Sequence, residues 1–187
     1  MDFYLSKVRI LCLWGLVGLA TYAQAEENKP ILGIRLGEDL AGQFSECGTG
    51  QRDNWCWVSD KAFLMPPDSD SPTGLPIWVK RQKLFVNPNG EGKLDSFRIT
   101  TLGPRIQERV IASVTGRYGE PSAIRKDIKK NSMGAQVEVI YAKWTTTTAV
   151  VTHDCFKLDE CTLTFLTPEA DTKLTERAKA MQQRDKL

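Results

Sequence analysis

Apolar residues recur at every fourth position between Gly103 and Gly119, which is the period of a helix with one buried face. The repeating positions are Ile106, Val110, Val114 and Tyr118. Pro104 suits the first helical position because its missing N–H would have no partner there, and Gly119 followed by Pro121 favours a helix end. The pattern predicts a helix over residues 104–118. Its polar residues are predicted on the solvent side: Arg105, Gln107, Glu108, Arg109 and Arg117.

After this helix the period changes to two, which is typical of half-buried strands. Residues 136–144 and 149–153 are rich in β-branched and aromatic side chains and are joined by four threonines, so they predict an antiparallel hairpin. A second hairpin is predicted from residues 83–87 and 93–100, around the turn sequence Asn87-Pro88-Asn89-Gly90. Residues 162–166 predict a last short strand.

Two further helices are predicted near the ends of the chain. A short one follows Leu36, with Leu40 and Phe44 facing the core and acidic residues in its first turn. A charged one covers residues 169–183 after Thr167 and Pro168, and its narrow apolar stripe of Leu174, Ala178 and Met181 indicates a helix lying on the surface. The predicted fold class is α+β, an antiparallel sheet of hairpins with helices packed on one face and two disulfides.

The amino terminus has the features of a secretory signal peptide. Lys7 and Arg9 precede a short apolar run, and Ala23-Gln24-Ala25 is a small-x-small cleavage site. We predict residues 1–25 as the signal peptide, cut after Ala25, and residues 26–187 as a single domain, periplasmic or secreted. The alternative, an uncleaved membrane anchor, is disfavoured because the apolar run is short. No stable membrane insertion is expected after cleavage.

The remaining 187 − 25 = 162 residues have nearly balanced charge. Removing residues 1–25 leaves 25 − 2 = 23 basic and 23 − 1 = 22 acidic side chains, a net charge of about +1. Proteins that bind nucleic acid neutralise phosphates with clustered cations. The composition therefore argues against a nucleic-acid partner.

Four cysteines follow the predicted cleavage site: Cys47, Cys56, Cys155 and Cys161. An even number of cysteines in an exported chain indicates disulfides, and local pairing of Cys47 with Cys56 and of Cys155 with Cys161 is predicted. A zinc site is the alternative, but neither pair has the spacing of a zinc knuckle, so no metal site is assigned.

Four residues are candidates for binding. Trp55 and Trp57 flank Cys56 and would share a face of a strand, where they either stack on a sugar ring or pack into the core. Asp68 and Asp70 lie in a proline-rich loop, residues 65–76, that is a candidate recognition surface. They have the first two ligand positions of a calcium loop, but its other ligands are missing.

Little in the sequence indicates catalysis. His153 is the only histidine, no Gly-x-Ser-x-Gly motif is present, and a surface strand position is predicted for it in preference to an active site. The basic run of residues 125–130 predicts an exposed hairpin edge that lysines protect from pairing, and contact with an anion is the alternative. No cofactor is predicted.

The spacing Gly33-x-x-x-Gly37, the helix end Tyr118-Gly119-x-Pro121 and the strand at Trp144 resemble small exported bacterial proteins of uncharacterised families. Over residues 31–165 the layout is also distantly similar to BamE/OmlA-type envelope domains, although this chain lacks a lipid-attachment cysteine at its cleavage site and adds two cysteine pairs. The resemblance implies a non-catalytic periplasmic interaction domain. We predict a protein that binds an unidentified periplasmic protein, in envelope assembly or in an inhibitor or immunity-type role. The alternatives are a carbohydrate or peptidoglycan-binding module and a hydrolase.

Overall fold

One antiparallel sheet of eight strands dominates the computed structural model, which describes residues 32–49, 54–58, 62–66, 79–80, 84–130 and 133–184. The strands are β1 (Cys56–Val58), β2 (Phe63–Met65), β3 (Leu84–Pro88), β4 (Leu94–Thr101), β5 (Ala123–Lys130), β6 (Gln136–Thr145), β7 (Val150–Asp154) and β8 (Cys161–Leu166). Their order across the sheet is β1-β2-β3-β4-β8-β7-β6-β5. The helices are α1 (Leu40–Gln43), α2 (Gln107–Tyr118) and α3 (Pro168–Arg184).

The last strand joins the two halves of the sheet. Both predicted hairpins are present, as β3 with β4 and as β6 with β7, and β8 pairs with β4 on one side and β7 on the other. Phe165 on β8 lies opposite both Phe97 and Val151, and its ring stacks on that of Phe97 with centroids 4.5 Å apart. The hairpin patterns are local, so they did not reveal this long-range insertion of β8.

The central helix packs on one face of the sheet. The predicted segment is confirmed as a 3-10 turn over Pro104–Ile106 followed by α2, which ends at Gly119 with a positive φ of 79°. Val110 and Val114 are buried in the main core with Trp144 and Phe165. This layer places the amino end of α2 beside β6.

The carboxy-terminal helix begins on the other face. Ala170 packs with Val150 and Leu166, whereas the neighbouring Val151 and Phe165 belong to the core beneath α2. Consecutive residues of a strand point to opposite faces, so α2 and α3 lie on different sides of the sheet. The prediction of helices packed on one face of the sheet is therefore only partly correct, and the fold is mainly sheet.

Other sequence predictions are resolved by local geometry. α1 buries Leu40 as expected, but Asp39 is its N-cap rather than a residue of its first turn, and its carboxylate accepts from Gly42 N–H. Both predicted disulfides, Cys47–Cys56 and Cys155–Cys161, are present. They indicate an oxidising compartment outside the cytoplasm. The predicted signal peptide lies outside the described residues.

None of the helices in the described part of the chain combines the length and the apolar character needed to cross a membrane.

Candidate functional site

The two edges of the sheet differ in length and in cover. β1 has three residues, and its backbone exchanges hydrogen bonds with residues 45–47, because Trp57 N–H donates to Ser45 and Cys47 N–H donates to Trp57. β5 has eight residues, and all of them pair with β6 on one side, while β5 stands at the opposite end of the strand order. The edge predicted from the basic run of residues 125–130 is thus confirmed as β5.

β5 is exposed on both faces as well as along its edge. All of its residues are exposed except Lys129, which is half-buried. β6 pairs with β7 only over residues 142–145, whereas it pairs with β5 over residues 136–143. The outer half of the β5–β6 hairpin therefore extends past the end of β7 as an arm.

Along residues 138–140 of β6, where β7 no longer pairs, side chains make the hydrogen bonds that a neighbouring strand would provide. The Gln107 amide donates from Nε2 to the Glu138 carbonyl at 2.8 Å, and its Oε1 accepts from Ile140 N–H at 2.9 Å. His153 Nδ1 lies 2.7 Å from the Ile140 carbonyl. Buried backbone groups need such partners, and Gln107 and His153 supply them. The prediction that Gln107 faces solvent is wrong, because the residue is only 6% exposed.

The same contacts show which backbone groups of β5 point outward. Ile140 turns its N–H and its carbonyl toward the β7 side, so its β5 partner Lys126 is in a pair without mutual hydrogen bonds. Lys126 therefore directs its own N–H and carbonyl away from β6, and so do Ile124, Ile128 and Lys130 by alternation. The contact of Ile128 fits this direction, because its N–H donates to the carboxylate of the adjacent Asp127 at 2.8 Å and not to β6.

The side chains of β5 make the arm basic. Four cations, Arg125, Lys126, Lys129 and Lys130, stand against one carboxylate, Asp127. The Arg125 guanidinium lies 4.4 Å from the ring centroid of Tyr141, and Lys129 Nζ donates to the Cys155 carbonyl at 2.7 Å. The hydrogen bond and charge of Glu138, whose carboxylate is 3.0 Å from Lys126 Nζ, raise the pKa of that lysine. With Glu138 of β6 included, four cations stand against two carboxylates, so the arm has a net positive charge.

Two large apolar side chains are exposed on the same strand. Ile124 is 57% exposed and Ile128 is 53% exposed, and both lie on the face that carries Lys126 and Lys130. Isoleucine is usually buried, so a pair on a free edge marks a surface suited to binding.

His153 lies in β7 and is buried. It is 1% exposed, so the predicted surface position is wrong. Burial lowers the pKa of His153 below its ordinary value, and the hydrogen bond to Ile140 and the charge of Asp154 only partly offset this effect. Burial likewise raises the pKa of Asp154, against the charges of Lys129 and His153. The imidazole is therefore neutral at neutral pH.

The other predicted binding residues do not join the arm. Trp57 in β1 and Trp55 just before it are half-buried and pack against the main core, at the other end of the sheet. Asp68 and Asp70 lie outside the described residues, as does most of the loop of residues 65–76. Sugar stacking and recognition by this loop both stay predictions.

A polar pocket beside α1 is satisfied by its own residues. It is lined in part by Arg35, Glu38, Asp39 and Gln43. Gln43 exchanges two hydrogen bonds with the Arg35 backbone, Arg35 pairs with Glu38 at 3.3 Å, and Asp39 caps the helix. These polar groups are engaged in holding α1, which makes the pocket a weaker candidate than the arm.

The residue that sequence reasoning missed is Gln107. It precedes Val110 and Val114 by three and seven positions, which places it on their face of the helix. A polar residue in line with a buried stripe is a signal for a buried hydrogen bond.

Comparison of the chain with protein-family models, with curated proteins and with solved structures gives no match in any of the three. The resemblance to BamE/OmlA-type domains stays a prediction.

Proposed function

We propose that this protein is a non-catalytic binding protein that acts outside the cytoplasm, periplasmic in a bacterial cell, and that it captures an extended segment of a partner protein along β5. The observation that carries the proposal is the eight-residue edge strand with exposed faces and outward backbone groups. Extended peptides add to such edges through main-chain hydrogen bonds, while side chains provide specificity. Roles in envelope assembly or as an inhibitor or immunity-type partner fit this mode.

The charge of the arm selects an acidic partner. Lysines on an edge usually discourage strand pairing, which is the main argument against a binding role. A strand with acidic side chains opposite Lys126 and Lys130 would turn this repulsion into attraction. A protected edge also has no need for exposed isoleucines at 124 and 128, and these favour aliphatic contacts.

The same charge disfavours a second copy as the occupant. Antiparallel pairing of two β5 strands would bring four cations and one carboxylate against an identical set. The partner segment is therefore a strand of another protein. Its aliphatic residues pair with Ile124 and Ile128, and its acidic residues pair with Lys126 and Lys130.

Site-specific crosslinking in the exporting cells tests the proposal. A photo-crosslinking side chain at Ile124 should capture a discrete partner, whereas the same group at Arg109, on the exposed side of α2, should not. Mass spectrometry of the adduct should locate the crosslink in a strand-forming acidic segment. Equal capture from both positions, or a crosslinked segment rich in lysine and arginine, would refute the proposal.

Two variants of the Ile124 probe protein sharpen the test. Lys126→Glu with Lys130→Glu should abolish capture, while the matched reversal Lys173→Glu with Lys179→Glu on the exposed surface of α3 should leave it unchanged. Ile128→Pro removes an outward N–H without removing a bond to β6, so it should reduce capture while the fold persists. Retained capture in both edge variants would show that β5 is not the docking strand.

A further inference from the structure

The buried His153 forms a compact cluster with the second disulfide. A ring nitrogen of His153 and the sulfur atoms of Cys155 and Cys161 all lie within 4.8 Å of one another. His153 is 1% exposed and both cysteines are 0% exposed. The cluster has this form because His153 and Cys155 lie two residues apart at the end of β7, and Cys161 begins the paired strand β8.

One nitrogen of the His153 imidazole has a hydrogen-bond partner, and the other has none among the described residues. A carbonyl oxygen only accepts hydrogen bonds, so Nδ1, at 2.7 Å from the Ile140 carbonyl, carries the proton. Nε2 then has a lone pair, and among the described residues this buried atom has no hydrogen-bond partner. Histidines that bind metals have this arrangement, in which a backbone carbonyl fixes the tautomer and the ring orientation.

We propose that reduction of Cys155–Cys161 converts this cluster into a binding site for one monovalent copper ion, with the two thiolates and His153 Nε2 as ligands. A dithiol supplies two electrons and two protons, the disulfide becomes two thiols, and the dithiol becomes a disulfide. Cu⁺ then replaces the two thiol protons, which are released to solvent.

The ligand set distinguishes Cu⁺ from zinc. Two soft sulfur donors suit both ions, but structural zinc takes four ligands in a tetrahedron. Gln107 Oε1 lies 3.9 Å from Cys155 Sγ, but it already accepts from Ile140 N–H. Three donors in a sealed site match a three-coordinate soft ion.

Anaerobic titration with Cu⁺ against a chromophoric chelator tests the site. The full chain carries Cys12→Ser, Cys47→Ser and Cys56→Ser, so that Cys155 and Cys161 are its only cysteines. One equivalent of Cu⁺ should bind after reduction by a dithiol and none before it. Near-UV circular dichroism of the reduced chain should stay native-like, and a reduced chain that unfolds would overturn the proposal.

Two further variants identify the ligands. Cys155→Ser with Cys161→Ser should abolish binding. His153→Asn keeps a donor for the Ile140 carbonyl but removes Nε2, so the affinity for Cu⁺ should fall by at least about tenfold. Undiminished affinity in His153→Asn, or displacement of Cu⁺ by equimolar Zn²⁺, would overturn the assignment.

X-ray absorption gives an independent check in the chain that keeps all its cysteines. Because this chain carries neither Cys47→Ser nor Cys56→Ser, its result does not depend on whether the fold tolerates loss of the Cys47–Cys56 disulfide. After reduction and loading with one equivalent of Cu⁺, the copper edge should show two sulfur neighbours and one nitrogen neighbour. The His153→Asn chain should lose the nitrogen neighbour. A purely sulfur-coordinated ion in both chains would show that Cu⁺ prefers other thiols of the reduced chain, which would overturn the proposal.

Discussion

The two long helices of this protein differ in what receives their apolar side chains. α2 has 12 residues, and Val110 and Val114 are 0% and 2% exposed above Phe165. α3 is longer, with 17 residues, yet Leu174 and Met181 are 52% and 66% exposed. Both carry an apolar stripe of helical period, so periodicity alone does not decide whether a helix is docked.

Docking is decided by complementary groups on the sheet. α2 meets large side chains of the central strands and brings Gln107 to backbone groups of β6 that have no strand partner. α3 is attached through its first turn, where Ala170 is buried and Asp171 pairs with Lys143 at 2.9 Å. The rest of α3 extends from the sheet, so the stability of the domain should depend on α2 far more than on α3.

The largest loss of stability is expected from substitution of Phe165, in the core beneath α2. Phe165→Ala removes a ring that is 0% exposed, stacks on Phe97 and contacts Tyr118, so it should lower the free energy of unfolding by about 3–5 kcal/mol. Denaturant unfolding followed by tryptophan fluorescence measures this change. The matched control Leu174→Ala, on the exposed part of α3, should change stability by less than about 0.5 kcal/mol. Similar losses in the two variants would contradict the comparison.

A smaller effect is expected from the polar contact of α2. Gln107→Ala leaves the Glu138 carbonyl and the Ile140 N–H without their partner, at a cost of about 1–3 kcal/mol. Amide exchange should show loss of protection at Ile140, and Arg109→Ala on the exposed side of the same helix is the control. Protection at Ile140 that survives in Gln107→Ala would mean that the sheet, not the side chain, satisfies this strand.

Much of the fold follows from local signals. Pro104 and Gly119 bracket α2, period-two runs define both hairpins, and the short separations of the cysteines favour the pairing that the structure has. The position of β8 between the hairpins depends on contacts between residues more than 60 positions apart, such as Phe97 with Phe165. No local pattern encodes such pairing, and the side of the sheet taken by α3 follows from it.

The candidate site was less accessible to prediction than the fold. The basic run indicated an edge strand, but the exposure of Ile124 and Ile128 depends on β5 being the last strand of the sheet, which only the strand order shows. His153 was placed on the surface because alternation in a strand does not tell which face is covered. In the fold its ring lies against the Ile140 carbonyl of β6 and beside Cys155 and Cys161, and pairing between strands creates these contacts.

The smallest loss of stability is expected from substitution of Thr167, and it should be confined to α3. Thr167 Oγ1 accepts from the Ala170 N–H at 3.2 Å, so Thr167 is the N-cap of α3. Thr167→Ala should cost about 0.5–2 kcal/mol of helix stability, and Thr167→Ser should retain most of it. Because only the first turn of α3 is packed, hydrogen exchange should accelerate in α3 while α2 keeps its protection. If exchange in α2 accelerates equally, the two helices unfold as one unit, and α3 contributes more to the domain than its exposed side chains indicate.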